Sequence, residues 1–310
     1  MDDSNLKDKA QDALVNALLA DRRSERRRTY FKYGVIAALV VGVFSSSFSS
    51  TSAPSTEPYA AVVRVEGEIL PGRPASAEAL NPQLEKAFGD ANAKAVILLV
   101  NSPGGTPVQA SLVHDRIRAL RAQHPNKPVV AVGEDMVTSG AYMIASAADR
   151  IVVNRSTVTG SIGVITRGFG FSGLMGKLGI ERRVQTAGES KSMSDPFAPQ
   201  TETDRARQAH LLEKIHVHFI DTVKAGRGAK LKLDTPGLFS GAVWTGDEAV
   251  ASGLVDSLGD LASVKKELGV TRLHDLTPSE PLLQSILGGV TTKVTTQLST
   301  PANVPLALPQ

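Results

Sequence analysis

The sequence predicts an α/β domain built on a parallel-rich sheet with helices around it, and three observations lead to it. Between residues 60 and 153, short runs of β-branched and aliphatic residues alternate with longer segments whose apolar residues recur at helical spacing. The runs are separated by breakers such as Pro103-Gly104-Gly105. The runs at 95–100 and 129–132 are apolar throughout, which suits strands covered on both faces.

The elements follow in order. Residues 60–65 read as a strand and 75–88 as a helix. Residues 95–100 are a buried strand, and after the Pro-Gly-Gly turn 108–123 carries Leu112, Ile117 and Leu120 at helical spacing. A strand at 129–132, a small-residue apolar helix at 139–148 and a strand at 151–153 complete the alternation. Gly160-Ser161-Ile162-Gly163 is a tight, glycine-bounded turn leading into an apolar strand at Val164-Ile165. Residues 168–188 are rich in glycine and basic side chains and show no regular period. A long helix from about 201 to 225 presents Leu211, Leu212, Ile215, Phe219 and Val223 as its apolar stripe. Thr245 caps one more helix, opened by Gly246-Asp247-Glu248-Ala249.

The flanks have a different character. The first 32 residues are polar and end in Arg22, Arg23, Arg26, Arg27, Arg28 and Lys32. An uncharged run follows from Tyr33 to Phe48 and continues through serines to Thr51, close to the ~17–20 residues a bilayer needs. Basic residues before this run and none just after it put the N-terminus inside and the bulk of the chain outside. The expected organisation is a cytoplasmic basic leader over 1–32, a single transmembrane signal anchor over 33–51, a linker over 52–58, the α/β domain over 59–276 and a weakly structured tail over 277–310. Three alternatives compete with the anchor. A cleaved signal peptide meets a poor cleavage context at Ala53-Pro54, a twin-arginine signal at Arg27-Arg28 is a faint match, and a buried core helix is opposed by the arginine cluster.

Composition excludes several chemistries. The 310 residues are 42% hydrophobic and 21% charged, with a net charge of +3 spread along the chain, so a nucleic-acid surface is not indicated. The absence of cysteine excludes a disulfide framework, a thiol nucleophile and a Cys-ligated metal. The six histidines, His114, His124, His210, His216, His218 and His274, do not converge on a triad or a helical zinc spacing and read as surface residues. No metal and no cofactor is expected.

Three segments carry candidate chemistry. Ser139 heads the small-residue helix directly after a hydrophobic strand, where unpaired N–H groups and the helix dipole favour negative charge. That position suits a nucleophile whose reaction passes through an oxyanion, and equally a plain N-cap. Adjacent Gly104 and Gly105 let backbone N–H groups face one point, as in an oxyanion hole, or simply allow a positive φ; the Walker pattern is absent. Lys191 lies in Ser190-Lys191-Ser192-Met193-Ser194-Asp195-Pro196-Phe197. By itself it reads as a solvated lysine. To act as a general base, a lysine must drop from about 10.4 towards 7–8, which a site achieves by disfavouring the ammonium by roughly 3–5 kcal/mol.

Taken together, these segments resemble the signal peptide peptidase A family, Ser-Lys peptidases on a ClpP/crotonase-like fold. The resemblance rests on five motifs in order: Asn101-Ser102-Pro103-Gly104-Gly105, Thr138-Ser139-Gly140-Ala141-Tyr142, Thr159-Gly160-Ser161-Ile162-Gly163-Val164, Lys191 to Phe197, and Trp244-Thr245-Gly246-Asp247-Glu248-Ala249 leading to Gly253-Leu254-Val255-Asp256. It implies Ser139 as nucleophile, Lys191 as general base, Ser161 as the hydroxyl that orients the lysine, and the N–H groups of Gly105 and Gly140 as oxyanion hole. It also implies a βαβ superhelix and a short-form homo-oligomer, an octamer, with serine and lysine supplied by adjacent protomers. The implied substrates are remnant signal peptides and similar apolar peptides, cleaved on the periplasmic side of a bacterial inner membrane. Three alternatives stand beside this: a Ser-Lys protease acting on a dedicated or misfolded membrane protein, a crotonase-type acyl-CoA enzyme, and a non-catalytic oligomeric scaffold.

Overall fold

The computed structural model describes residues 31–35 and 58–277. Residues 31–35 are helical; the rest of the expected anchor, and the tail beyond 277, lie outside the described residues. Among the described residues no helix is long and apolar enough to cross a membrane.

Residues 58–277 build one parallel-rich sheet. Its centre is β1 (Tyr59–Glu66), β2 (Ala93–Ser102) and β3 (Val129–Thr138), joined by helices α1 (Ala77–Gly89) and α2 (Pro107–Gln123). All three strands run parallel, with Val62 opposite Ile97 and Ile97 opposite Val130. Both connections are βαβ crossovers, which parallel pairing requires. After β3 come a short helix, α3 (Gly140–Ala145), and strands β4 (Arg150–Val153) and β5 (Val158–Gly160). The outer edge of β3 is shared: β4 pairs with Val130 to Gly133, β5 with Met136 to Thr138. Helices α4 (Ser172–Lys177) and α5 (Glu202–Arg227) lead to β6 (Val243–Trp244), α6 (Gly246–Ser252), β7 (Ser257–Leu258), α7 (Leu261–Glu267) and β8 (Arg272–Asp275). β6 pairs antiparallel with β5, β7 lies beside β4, and β8 extends the far edge beside β1.

Side-chain alternation along the central strands separates two cores. Ala61, Val63 and Val65 of β1 join Leu80, Leu84, Ile117 and residues 141–145 of α3 in the larger one. Ala60 and Val62 join Ile97, Leu99, Val132 and Val264 in the smaller one, under α7. Each fully buried aliphatic side chain contributes roughly 1.5–3 kcal/mol, so burial on both faces holds the sheet under its helices. A buried ion pair closes the far side. Arg227, 3% exposed at the end of α5, donates to the Gly253 carbonyl and to Asp256, which also accepts the Ile151 N–H of β4.

Several elements differ from the sequence expectation, each for a packing reason. β3 continues six residues past Val132 through Gly133-Glu134-Asp135, because its edge is taken up by β5 as well as β4. The helix after it is only Gly140–Ala145, with Ser139 outside it. No strand forms at Val164-Ile165, where Ile165 is 68% exposed. On α2 the buried face is Ala110, Val113, His114, Ile117 and Leu120, which leaves Leu112 outside. On α5 only Phe219, Val223 and Arg227 are buried; Leu211 is exposed because the N-terminal half of this helix extends beyond the domain's cores. His114, 7% exposed, is not a surface residue, and His216 is half-buried.

Candidate active site

The carboxyl ends of β2, β3 and β5 converge on Ser139. Thr138, the last residue of β3, pairs with Gly160, the last of β5, so Ser139 and Ser161 are the first residues beyond two neighbouring parallel strands. Both adopt positive φ, 54° for Ser139 and 50° for Ser161, a region non-glycine residues rarely enter. Ser139 combines φ 54° with ψ −124°. Such a conformation costs on the order of 1–3 kcal/mol and survives only where its surroundings over-determine it. Here they do: the Ser139 N–H donates to the Gly160 carbonyl at 2.8 Å, and its carbonyl accepts the Met143 N–H at 3.0 Å. Every residue of α3 beyond it is buried, which leaves the half-buried Ser139 no room to relax.

The glycine loop after β2 packs directly onto this turn. Gly104 has φ 94°, and a Cβ built on it would lie 2.7 Å from the Ser139 Cβ and 2.8 Å from the Gly140 nitrogen. A Cβ on Gly105 would meet the Ile69 carbonyl oxygen at 2.1 Å, so neither position accepts a side chain unless the backbone shifts. The close approach serves a purpose: a Cβ on Gly140 would stand only 3.4 Å from the Gly105 nitrogen, so the two N–H-bearing segments lie side by side. Gly140 is the first residue of α3 and has no intrahelical acceptor. Neither its N–H nor that of Gly105 donates to a carbonyl among the described residues. Two unpaired backbone donors beside a strained serine can stabilise a tetrahedral oxyanion.

The loop is held by residues the sequence analysis did not single out. The Ser102 hydroxyl donates to the Gly67 carbonyl at 2.5 Å and accepts the Gly104 N–H at 3.1 Å. Ile69, fully buried, donates its N–H to the Gly104 carbonyl and accepts the Thr106 N–H. Tyr142, fully buried in α3, donates its hydroxyl to the Leu254 carbonyl at 2.7 Å; burial holds its phenol well above the ordinary range. A serine just before Pro-Gly-Gly was a readable hint of a turn-holding hydroxyl. Ile69 and Leu254, distant in sequence, gave none.

Ser161 is gripped by the β6 side of the sheet. Its N–H donates to the Ala242 carbonyl at 2.8 Å, and a Cβ on neighbouring Gly160 would strike the Trp244 ring at 2.6 Å. Lys191 is different. It is exposed, its N–H caps a turn to the Gly188 carbonyl at 3.1 Å, and no hydrogen bond within the chain joins its amine to Ser139 or Ser161. Its segment is organised instead around Phe171 stacked on Phe197, with Arg182 over the Phe197 ring and paired to Asp195 at 2.7 Å. The Phe197 N–H and the Arg182 guanidinium hold the Asp195 carboxyl below the usual carboxylate range. Around it Ile165, Phe169, Leu174, Leu178 and Ile180 are more than half exposed. The chain therefore assembles Ser139, Gly105, Gly140 and Ser161, while the exposed Lys191 amine makes no hydrogen bond to either serine.

A strained serine at a strand-to-helix turn, beside paired backbone donors, is the layout of a serine hydrolase. Comparison with known proteins adds likenesses to this geometry. Residues 121–272 match "Peptidase family S49". Over 204 residues the chain is 34% identical to Protease 4 of Haemophilus influenzae, a match covering 64% of this chain and 32% of the relative. It is 29% identical over 246 residues to the chloroplastic serine protease SPPA of Arabidopsis thaliana, covering 75% of this chain and 36% of the relative. It is also 46% identical over 236 residues to the Na(+)/H(+) antiporter NhaA of Brucella melitensis, covering 74% of this chain and 32% of that protein. The chain thus spans about a third of the length of each of these relatives. Residues 121–272 are thus similar to peptidase family S49, and the matched stretch makes up about half of the chain.

Proposed function

We propose that the chain is a membrane-anchored serine endopeptidase, on a crotonase-like framework, that degrades remnant signal peptides and similar apolar peptides. Ser139 is the nucleophile, Lys191 the general base, Ser161 the hydroxyl that orients it, and the Gly105 and Gly140 N–H groups the oxyanion hole. The single observation that carries this reading is Ser139 at φ 54° with those two unpaired donors beside it. The family S49 match over residues 121–272 and the peptidase names of these relatives support it. The antiporter name belongs to a protein of which the shared stretch is 32%.

In this mechanism the neutral Lys191 amine takes the Ser139 proton as Oγ attacks the substrate carbonyl. The two N–H groups stabilise the oxyanion, the ammonium returns the proton to the leaving amine, and water hydrolyses the acyl-enzyme. In this reading the lysine, exposed and without a hydrogen bond to Ser139 within one chain, comes from an adjacent protomer of a homo-oligomer, an octamer. Burial against that protomer supplies the desolvation a neutral lysine needs. The exposed apolar segment around Lys191 is then the contact surface between copies. The run at 33–51 anchors the assembly in a bacterial inner membrane, with the domain on the periplasmic side near its substrates.

The test is hydrolysis of a synthetic signal peptide by the full chain in detergent. Ser139→Ala and Lys191→Ala each lose about 10³-fold or more of kcat/KM at unchanged assembly size. Mixing the two inactive variants restores part of the activity, since a Ser139 from one protomer then meets a Lys191 from the other. Full activity of Lys191→Ala, or no recovery on mixing, refutes the assignment.

A further inference from the structure

The turn that carries Ser161 is held on two sides, and the second side is a histidine that the mechanism above does not use. On one side stands the approach to β6: Ser161 donates to Ala242, Gly160 pairs with Val243, and a Cβ on Gly163 would fall 2.9 Å from the Gly241 Cα. On the other side His216 reaches down from α5, with its Nε2 3.0 Å from the Ile162 carbonyl oxygen. A carbonyl oxygen only accepts, so Nε2 carries the proton in this contact. Ile162 is fully buried and immediately follows Ser161, whose φ of 50° needs external support. Within the turn itself the Gly163 N–H donates back to the Ser161 carbonyl. His216 is thus the one side chain hydrogen-bonded to the backbone of the Ser161-Ile162-Gly163 turn among the described residues.

Its place on α5 supports a specific role. The buried contacts of this helix begin only at Phe219, so His216 is not needed to bury an apolar stripe. Of its neighbours on the helix, His210 and His218 are exposed and, among the described residues, hydrogen-bond through no ring nitrogen, whereas His216 is half-buried and aimed at the turn.

We infer that His216 is a positioning residue: by donating Nε2–H to the Ile162 carbonyl it holds the strained Ser161 turn, and thereby the hydroxyl that orients the lysine, beside Ser139. This rests on the peptidase reading and names a residue that acts through Ser161 without touching substrate.

The experiment uses the full chain and the same signal-peptide assay. His216→Gln keeps an N–H at the Nε2 position; His216→Met keeps the bulk and removes the donor. His216→Gln is expected to keep kcat within about threefold of the parent, whereas His216→Met loses about tenfold or more in kcat at little-changed KM, the scale of a small misplacement at a reacting group. In a Ser161→Ala background, His216→Met is expected to cost less than about twofold further, because the group it positions is gone. Thermal melts of all variants separate misfolding from misplacement. If Gln and Met variants fold equally and lose activity equally, or if the His216→Met loss persists undiminished without the Ser161 hydroxyl, the inference is overturned. Failure of the peptidase reading looks different: the parent and Ser139→Ala then hydrolyse the peptide alike.

Discussion

Replacing Gly104 by alanine tests the site's construction most directly, because the same structure contains its control. Gly104 and Gly67 both have positive φ, 94° and 74°, so a methyl group at either pays the same kind of backbone penalty, about 1–2 kcal/mol. Around Gly67 there is nothing within 4 Å of the added Cβ; at Gly104 it lies 2.7 Å from the Ser139 Cβ, 2.8 Å from the Gly140 nitrogen and 2.9 Å from the Thr138 oxygen. All three atoms belong to the turn that carries the nucleophile, and none is the far end of a flexible side chain. Overpacking of that kind adds about 1–3 kcal/mol. For a domain of this size each kcal/mol moves the midpoint by about 2–4 °C, so Gly67→Ala lowers Tm by about 4 °C and Gly104→Ala by about 10 °C. Displacing Ser139 and the Gly140 N–H by a few tenths of an ångström also costs Gly104→Ala about 10²-fold in turnover, which Gly67→Ala retains. Differential scanning calorimetry and peptide hydrolysis on the two variants read both effects. Equal Tm and equal turnover in the two would refute the claim that Gly104 packs against the nucleophile.

Other outcomes follow from the same geometry. Arg227→Met leaves the Gly253 carbonyl without a donor and Asp256 with only Lys230 and the Ile151 N–H, and lowers unfolding free energy by about 1–3 kcal/mol in urea titration; no measurable shift would show the pair to be slack. Tyr142→Phe leaves the Leu254 carbonyl without its 2.7 Å donor and costs about 1–3 kcal/mol, read by the same titration. His114 is buried with Nε2 unpartnered; desolvation, only partly offset by Asp115, holds its pKa below the ordinary 6.5. The unfolded chain therefore binds the proton first, so stability is undiminished above pH 6.5 and falls as pH drops from there towards the folded pKa. His114→Leu should accordingly show a flatter Tm between pH 7.5 and 5 than the parent, and parallel profiles would refute the assignment.

The central strands were legible because a strand covered on both faces must be apolar throughout, and 95–100 and 129–132 are. The capped start of α6 was legible too: the Thr245 N–H meets the Glu248 carboxylate at 2.9 Å, a purely local pattern. What local pattern could not show was where β3 ends. The apolar run stops at Val132, yet the strand runs on to Thr138 because Met136 to Thr138 pair with β5, some twenty residues away. That extension puts Ser139 at the sheet edge beside Ser161. The same limit explains Leu112 and Leu211, whose helical spacing is right but whose faces are decided by what packs opposite.

The sequence by itself determined the alternation of strands and helices, the two glycines after β2 and the serine after β3, since breakers, apolar runs and turn residues act within a few positions of themselves. Only the tertiary structure decided that Gly104 touches Ser139, that the Gly105 and Gly140 N–H groups lie side by side unpaired, and that His216 reaches Ile162. Those contacts join residues 35 to 54 positions apart, as in Gly104 with Ser139 and His216 with Ile162. Their energy depends on distance in space, which the order of residues along the chain does not encode locally.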